Sequence, residues 1–193
     1  TTGVVTATIS TTAINDLDDL TGTGNAYTIT VADSSVTAAA LNTVNAATTV
    51  SVTATAVTTI TGTAAQLATT YGGGITGLGN ETVTVSDADV TAAHLNTINA
   101  GTSVSVVATA VTNITGSKTD LATTYGGGMT GLGNETITVS DANITSTEAN
   151  TVDGYTTGAV TATISTTAIA DLDDLTGTGN AYTITVADSS VTA

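Results

Sequence analysis

The chain has 193 residues and a formal net charge of −15, from 16 acidic residues against one cation, Lys118; it contains no Cys, Pro, Trp or Phe. A surface this acidic cannot neutralise phosphates and is repelled by anionic lipid, which argues against nucleic-acid binding and electrostatic membrane association. The lack of Cys removes disulfides and thiolate metal sites. At 40% hydrophobic content, with no apolar run near the roughly 20 residues of a membrane span, neither a disordered acidic tail nor direct membrane insertion is expected.

In chain order, alternating β-branched stretches take turns with short capping phrases. "TATIS" (Thr6–Ser10) reads as a strand, with one apolar and one hydroxylic face. "DLDDL" at Asp16 reads as a helix start, since Asp, Ser or Thr at the N-cap accepts a bond from an otherwise orphan backbone N–H. The same alternation follows in "AYTITVAD" (Ala26–Asp33), "TVSV" (Thr49–Val52), "ETVTVSD" (Glu81–Asp87), "SVSV" (Ser103–Val106) and "ETITVSD" (Glu135–Asp141). Between these stretches, helix starts recur at Thr37, Thr63, Thr91, Ser117, Thr145 and again at Asp171. Gln66 after Thr63 and Glu148 after Thr145 complete capping boxes. The glycines of "YGGG" (Tyr71–Gly74 and Tyr125–Gly128) and Asn99 of "NTINAG" are expected to end helices in the left-handed conformation.

Two periods organise these elements. Thr1–Ala38 recurs as Thr156–Ala193, 155 residues on, with only Val4 changed to Ala159 and Asn15 to Ala170. The fifth residues of the capping phrases, Leu20, Leu41, Leu67, Leu95, Leu121, Ala149 and Leu175, are spaced by 21, 26, 28, 26, 28 and 26. Periods of this size predict a repeat solenoid: a stack of parallel β-strands with one short capped helix per coil, in coils of 21–28 residues resembling leucine-rich repeats. Residues 1–193 are then a single continuous segment, in which 1–155 form one six-coil super-repeat and 156–193 begin the next copy. Val83, Val85, Val90, Leu95 and Ile98 are expected to point inward in one coil type, and Ile60, Leu67, Ile114 and Leu121 in the other.

Little of the chain looks catalytic. His94, the one histidine, stands at the third helical position after Thr91, where Gln66, Asp120 and Glu148 stand in sister phrases, and so reads as a capping or surface residue. Zinc needs several N or S ligands, and no Ser or Thr has a paired base to activate it. The glycine runs follow a helix, whereas phosphate loops precede one, so they read as turns. The acidic residues are the remaining candidates. Asp33, Asp87 and Asp141, with Asp188, each follow a strand, and two clusters, Asp16, Asp18, Asp19 and Asp171, Asp173, Asp174, add local charge. Calcium, which takes six to eight oxygens, is the one cofactor this pattern suits, although no EF-hand or glycine-rich nonapeptide loop is present; turn-stabilising Asp is the plainer reading.

The phrases "VTAAALNTVNAAT" (Val36–Thr48), "VTTITGTAAQL" (Val57–Leu67) and "VTAAHLNTINAGT" (Val90–Thr102) resemble segments of the giant Thr/Ala/Asp-rich repeat proteins on the surface of marine cyanobacteria and other aquatic bacteria. The resemblance implies an extracellular, very long structural or adhesive protein and carries over no catalytic residue. The expected function is therefore that of a non-catalytic structural repeat of an extracellular filament or cell-surface protein. Its expected partners are neighbouring repeats or other copies of itself. The alternatives are a calcium-stiffened adhesin repeat and an ice-binding protein that uses the Thr-x-Thr strand faces.

Overall fold

The computed structural model describes residues 3–10, 12–166 and 168–188. It begins with β1 (Thr6–Thr8), the four-residue helix α1 (Ile14–Leu17), β2 (Ala26–Thr28) and β3 (Ser35–Thr37). There follow α2 (Ala38–Ala46), β4 (Val52–Thr53), β5 (Thr59–Gly62), α3 (Ala64–Gly72) and β6 (Ile75–Thr76). Next are β7 (Thr82–Val85), β8 (Asp89–Thr91), α4 (Ala92–Gly101), β9 (Asn113–Gly116), α5 (Lys118–Gly126) and β10 (Thr136–Val139). The chain closes with α6 (Ser146–Asp153), β11 (Val160–Thr166), a 3-10 turn (Ile169–Asp171) and β12 (Ala181–Val186). Among the described residues no helix is long and apolar enough to cross a membrane.

The single strand stack expected of a solenoid does not form. The chain is a small α/β domain; among the described residues its strands divide among separate parallel sheets, β1-β2, β3-β5-β7, β4-β6 and the five-stranded β12-β11-β10-β9-β8, accompanied by six α-helices. The physical reason lies in the turns that follow the alternating stretches, each leading into a second short strand. "ETVTVSDADVT" breaks between Val85 and Asp89: its first half, β7, continues the sheet of β5 through Ile60↔Val83, and its second half, β8, opens the five-stranded sheet through Val90↔Ile114. At the break, Asp87 turns its carboxylate onto the first N–H of α3, Ala64 N to Asp87 Oδ1 at 2.9 Å. "TVSVTATAVTTITG" breaks likewise at a turn closed by Val57 N donating to Ala54 O, which separates β4 from β5. One strand per repeat thus becomes two short ones in different sheets.

The helices begin largely where the capping phrases place them. Thr37, Thr63, Thr91, Ser117 and Thr145 each accept a bond from the backbone N–H three residues on, and the capping boxes Thr63/Gln66 and Thr145/Glu148 are complete. The Asp phrases differ. α1 starts two residues before Asp16, after Ala13, which offers no side-chain cap, and its buried leucine is Leu17, while Leu20 is half-buried. The later copy forms only the 3-10 turn. The helix ends differ too. Asn99 lies inside α4, and Gly73, which follows α3, has φ −94°; of the "YGGG" glycines only Gly128 is left-handed, at +73°.

The core is built of Val, Ile, Leu and Ala. In β5, β7 and β10 the alternation sends Val or Ile inward and Thr outward, and helices add buried residues three or four apart, such as Leu95 and Ile98 of α4. Ile60, Leu67, Val83, Val85, Leu95, Ile98, Ile114 and Leu121 have no exposed surface, and Val90 is 7% exposed. Ala149 occupies the leucine position of α6 and is itself fully buried. Truncating Leu95 to Ala is expected to cost about 2–5 kcal/mol, read as a lower urea midpoint at unchanged m-value; a change under about 1 kcal/mol would contradict the packing.

Candidate functional site

Four of the aspartates that follow strands each accept a backbone N–H. Asp33 Oδ2 accepts from Ile14 N at 2.7 Å, Asp87 Oδ1 from Ala64 N at 2.9 Å, Asp141 Oδ2 from Lys118 N at 2.6 Å and Asp188 Oδ2 from Ile169 N at 2.5 Å. Each donor is the first residue of a helix or 3-10 turn, where the N–H groups lack partners within the helix and the helix dipole favours a negative charge. Each acceptor lies about 20 residues further along the chain, so the carboxylate ties two successive repeats together. Where the following repeat offers no Asp, the backbone itself comes close: a Cβ on Gly62 would sit 2.8 Å from the Ala38 Cβ, and one on Gly116 2.6 Å from that of Ala92.

Asp16 lies in the first turn of α1 and Asp18 follows its end. Asp171 belongs to the 3-10 turn, and the Asp174 carbonyl accepts from the Asn150 amide at 2.7 Å. Asp19 and Asp173 are exposed. Among the described residues no three His, Asp or Glu side chains converge as metal ligands.

His94 borders a shallow concavity of about 340 Å³, with Asp87, Asp89, Thr91 and Asn113 around it. Its polar groups are already engaged: Asp87 caps α3, Asp89 accepts from the Asn113 amide at 2.5 Å, and the Thr91 hydroxyl accepts from His94 N at 3.3 Å. Lys118 pairs with Glu148 at the half-exposed surface, and that pairing, with the Thr145 N–H, holds the Glu148 carboxyl below its ordinary value. The outward Thr residues do align in ranks, Thr37–Thr61–Thr84 on one sheet and Thr91–Thr115–Thr138–Thr161 on the other.

Two residues that sequence reasoning missed are the most unusual. Glu81 and Glu135 are fully buried, and among the described residues neither is paired with a cation. Both oxygens of Glu81 face Gly79 N, at 2.8 and 2.9 Å, and the Tyr71 hydroxyl donates to Oε2 at 3.1 Å. Glu135 repeats this with Gly133 N, at 3.0 and 2.9 Å, and the Tyr125 hydroxyl, at 2.8 Å. The chain returns onto its own carboxylate through Gly79 and Gly133, at φ 138° and 127°, which a side chain would strain. Thr102 and Thr156 then close the site by donating to the Glu81 and Glu135 carbonyls, at 2.9 and 2.6 Å.

The surroundings of the two tyrosines differ. Tyr71 lies against Gly101, where a Cβ would meet the ring at 2.4 Å, while Tyr125 stacks on Tyr155 with centroids 5.1 Å apart and planes 13° from parallel. Burial, first, and then the Glu81 carboxylate raise the Tyr71 phenol well above its ordinary range. Burial and the hydrogen bond to Glu135 do the same for Tyr125. A carboxylate sealed under hydrogen-bond donors in this way is a strut, out of reach of any substrate. The sequence did carry a signal for it: Tyr, nine residues, then Glu, written twice at an offset of 54, with Glu standing where the terminal copies have Ala26 and Ala181.

Compared with protein-family models, curated proteins and solved structures, the chain finds no match in any of the three.

Asp87→Ala is expected to destabilise the fold by about 0.5–2 kcal/mol through the lost cap, with Asp87→Asn milder and the exposed Asp19→Ala near neutral; equal effects for all three would refute the capping role. Tyr125→Phe should cost about 1–3 kcal/mol by leaving a buried acceptor short of a donor. The phenols also set an alkaline limit. Their native values are raised, so their stabilisation is complete below the ordinary tyrosine value of about 10 and is lost as pH climbs through the raised native value. In an ultraviolet titration of the phenolate band, Tyr71 and Tyr125 should ionise only as the fold opens, and the Tyr71→Phe/Tyr125→Phe variant should lack that late step.

Proposed function

We propose that this chain is a non-catalytic structural repeat of a very long extracellular or cell-surface protein, acting through length and surface coverage and not through a pocket. The observation that carries this reading is the shared register of the two terminal copies. β1 pairs with β2 through Thr6↔Ala26, Ala7↔Tyr27 and Thr8↔Thr28; β11 pairs with β12 through Thr161↔Ala181, Ala162↔Tyr182 and Thr163↔Thr183. Each pair of the second set is the first moved by 155 residues. The same residues therefore pair in the same strand register at both ends, as a protein written by copying requires.

Supporting this, the Asp and Glu side chains with defined hydrogen bonds mostly cap helices or support turns. The net charge of −15 keeps such surfaces soluble and opposes lateral clumping at low salt. Electron microscopy of chains carrying two and four successive 155-residue copies is the test. Contour length is expected to grow in proportion to copy number. A particle of constant or globular outline would overturn the reading.

A further inference from the structure

The concavity beside His94 and the Lys118–Glu148 pair occupy the same place in two sister repeats. A shift of 54 residues carries Ala64 onto Lys118, Asp87 onto Asp141, Asp89 onto Asn143, Thr91 onto Thr145 and His94 onto Glu148. In the later repeat Lys118 heads α5 and donates its backbone N–H to Asp141 Oδ2. Its Nζ crosses to Glu148 Oε1 in the first turn of α6, and the Asp141 carboxylate adds to the attraction. The earlier repeat keeps the frame: α3 and α4 start from the caps Thr63 and Thr91, and Asp87 holds the Ala64 N–H. What it lacks is the lysine. Ala64 stops at Cβ, and the space toward His94 is left open as the concavity of about 340 Å³, which Ala64, Asp87, Asp89 and His94 help to line.

The groups left around that space are those that a cation would answer. Asp87 and Asp89 each spend Oδ1 on a neighbour, Ala64 N and the Asn113 amide, and among the described residues neither Oδ2 accepts a hydrogen bond. His94 is bonded through its backbone N–H to Thr91, and its ring makes no hydrogen bond among the described residues. The filled site sets two carboxylates, Asp141 and Glu148, around one ammonium; the open site has two carboxylates and no ammonium, since the chain's one Lys is paired with Glu148. We propose that the concavity between Ala64 and His94 binds a primary alkylammonium group from outside the chain, in the place that the sister repeat fills with its own lysine side chain. The two Oδ2 atoms and the imidazole offer acceptors for its three N–H donors, and Ala64, Ala65 and Val90 offer apolar surface to the alkyl stem. Bonds from a charged donor to a carboxylate are the strong ones, so a small, open site suffices for selective if weak binding. The proposal goes beyond the repeat reading and does not depend on it. Lysine side chains and free diamines both carry the group.

His94 is the one histidine of the chain, so its imidazole C–H resonances report on this site alone in a proton NMR spectrum of the full chain. Titrated at low salt with cadaverine, or with a lysine residue blocked at both ends, that signal is expected to shift and to saturate at millimolar concentration. Tetramethylammonium, equal in charge but without an N–H donor, and sodium at matched ionic strength should leave it in place. Saturation by both probes means that the ammonium alone is recognised; by cadaverine only, that the ligand is a free diamine; by blocked lysine only, that it is a protein side chain. Ala64→Lys puts an ammonium in the site from within and should abolish the shift, its melting temperature confirming that it folds. Asp89→Asn, which copies Asn143 of the sister repeat, should weaken binding about two- to fivefold, the weight of one exposed ion pair; it decides alone if Ala64→Lys does not fold. A signal that never saturates, that follows tetramethylammonium equally, or that responds unchanged in these variants overturns the proposal.

Discussion

The interaction on which the architecture depends is a carboxylate reaching back to the start of a helix that the chain has already made. Asp33, Asp87 and Asp141 each accept the first N–H of a helix about 20 residues earlier. Each helix is short, and alone it would be marginal, since nucleation costs more than a few turns return. A cap delivered from the following segment makes α1, α3 and α5 each depend on its successor. It also bends the chain, and at Asp87 that bend ends one sheet and starts another.

The buried glutamates extend the same economy of means. A chain with one Lys and no Arg has almost no cations with which to compensate a buried carboxylate. It uses backbone N–H groups and tyrosine hydroxyls instead, and the glycine turns bring those N–H groups back over the side chain. Hydrogen bonds to a charged acceptor are the strong ones, and within a core of Val, Ile and Ala they fix the turn geometry as packing alone would not.

Much of this was legible in the sequence at the level of residues. The caps at Thr37, Thr63, Thr91, Ser117 and Thr145 and the inward alternation around Val83 and Val85 follow from local chemistry. The sheet organisation did not follow, because the second strand after "ETVTVSD", Asp89–Thr91, is too short to show a period of its own before the helix start at Thr91. Nothing within that stretch announces that Asp87 has a partner 23 residues away, at Ala64. The same blindness to long-range acceptors placed a helix start at Asp16, when α1 is capped from outside by Asp33. For the candidate metal ligands the sequence offered turn-stabilising Asp beside calcium, without naming the helix that each would serve. Carboxylates at regular intervals look alike whether they gather around an ion or serve one helix each.

The contrast between Gly101 and Tyr155 bears on how a chain of near-copies avoids folding against the wrong one. Tyr71 and Tyr125 stand in nearly identical phrases 54 residues apart. The surface over Tyr71 admits only a residue without a side chain, while Tyr125 receives a second aromatic ring. A segment bearing Tyr155 set over Tyr71 would collide with the ring, and one bearing Gly101 set over Tyr125 would leave a void. Two positions therefore give otherwise interchangeable repeats an address, one that holds while the protein is still emerging and several equivalent partners are within reach.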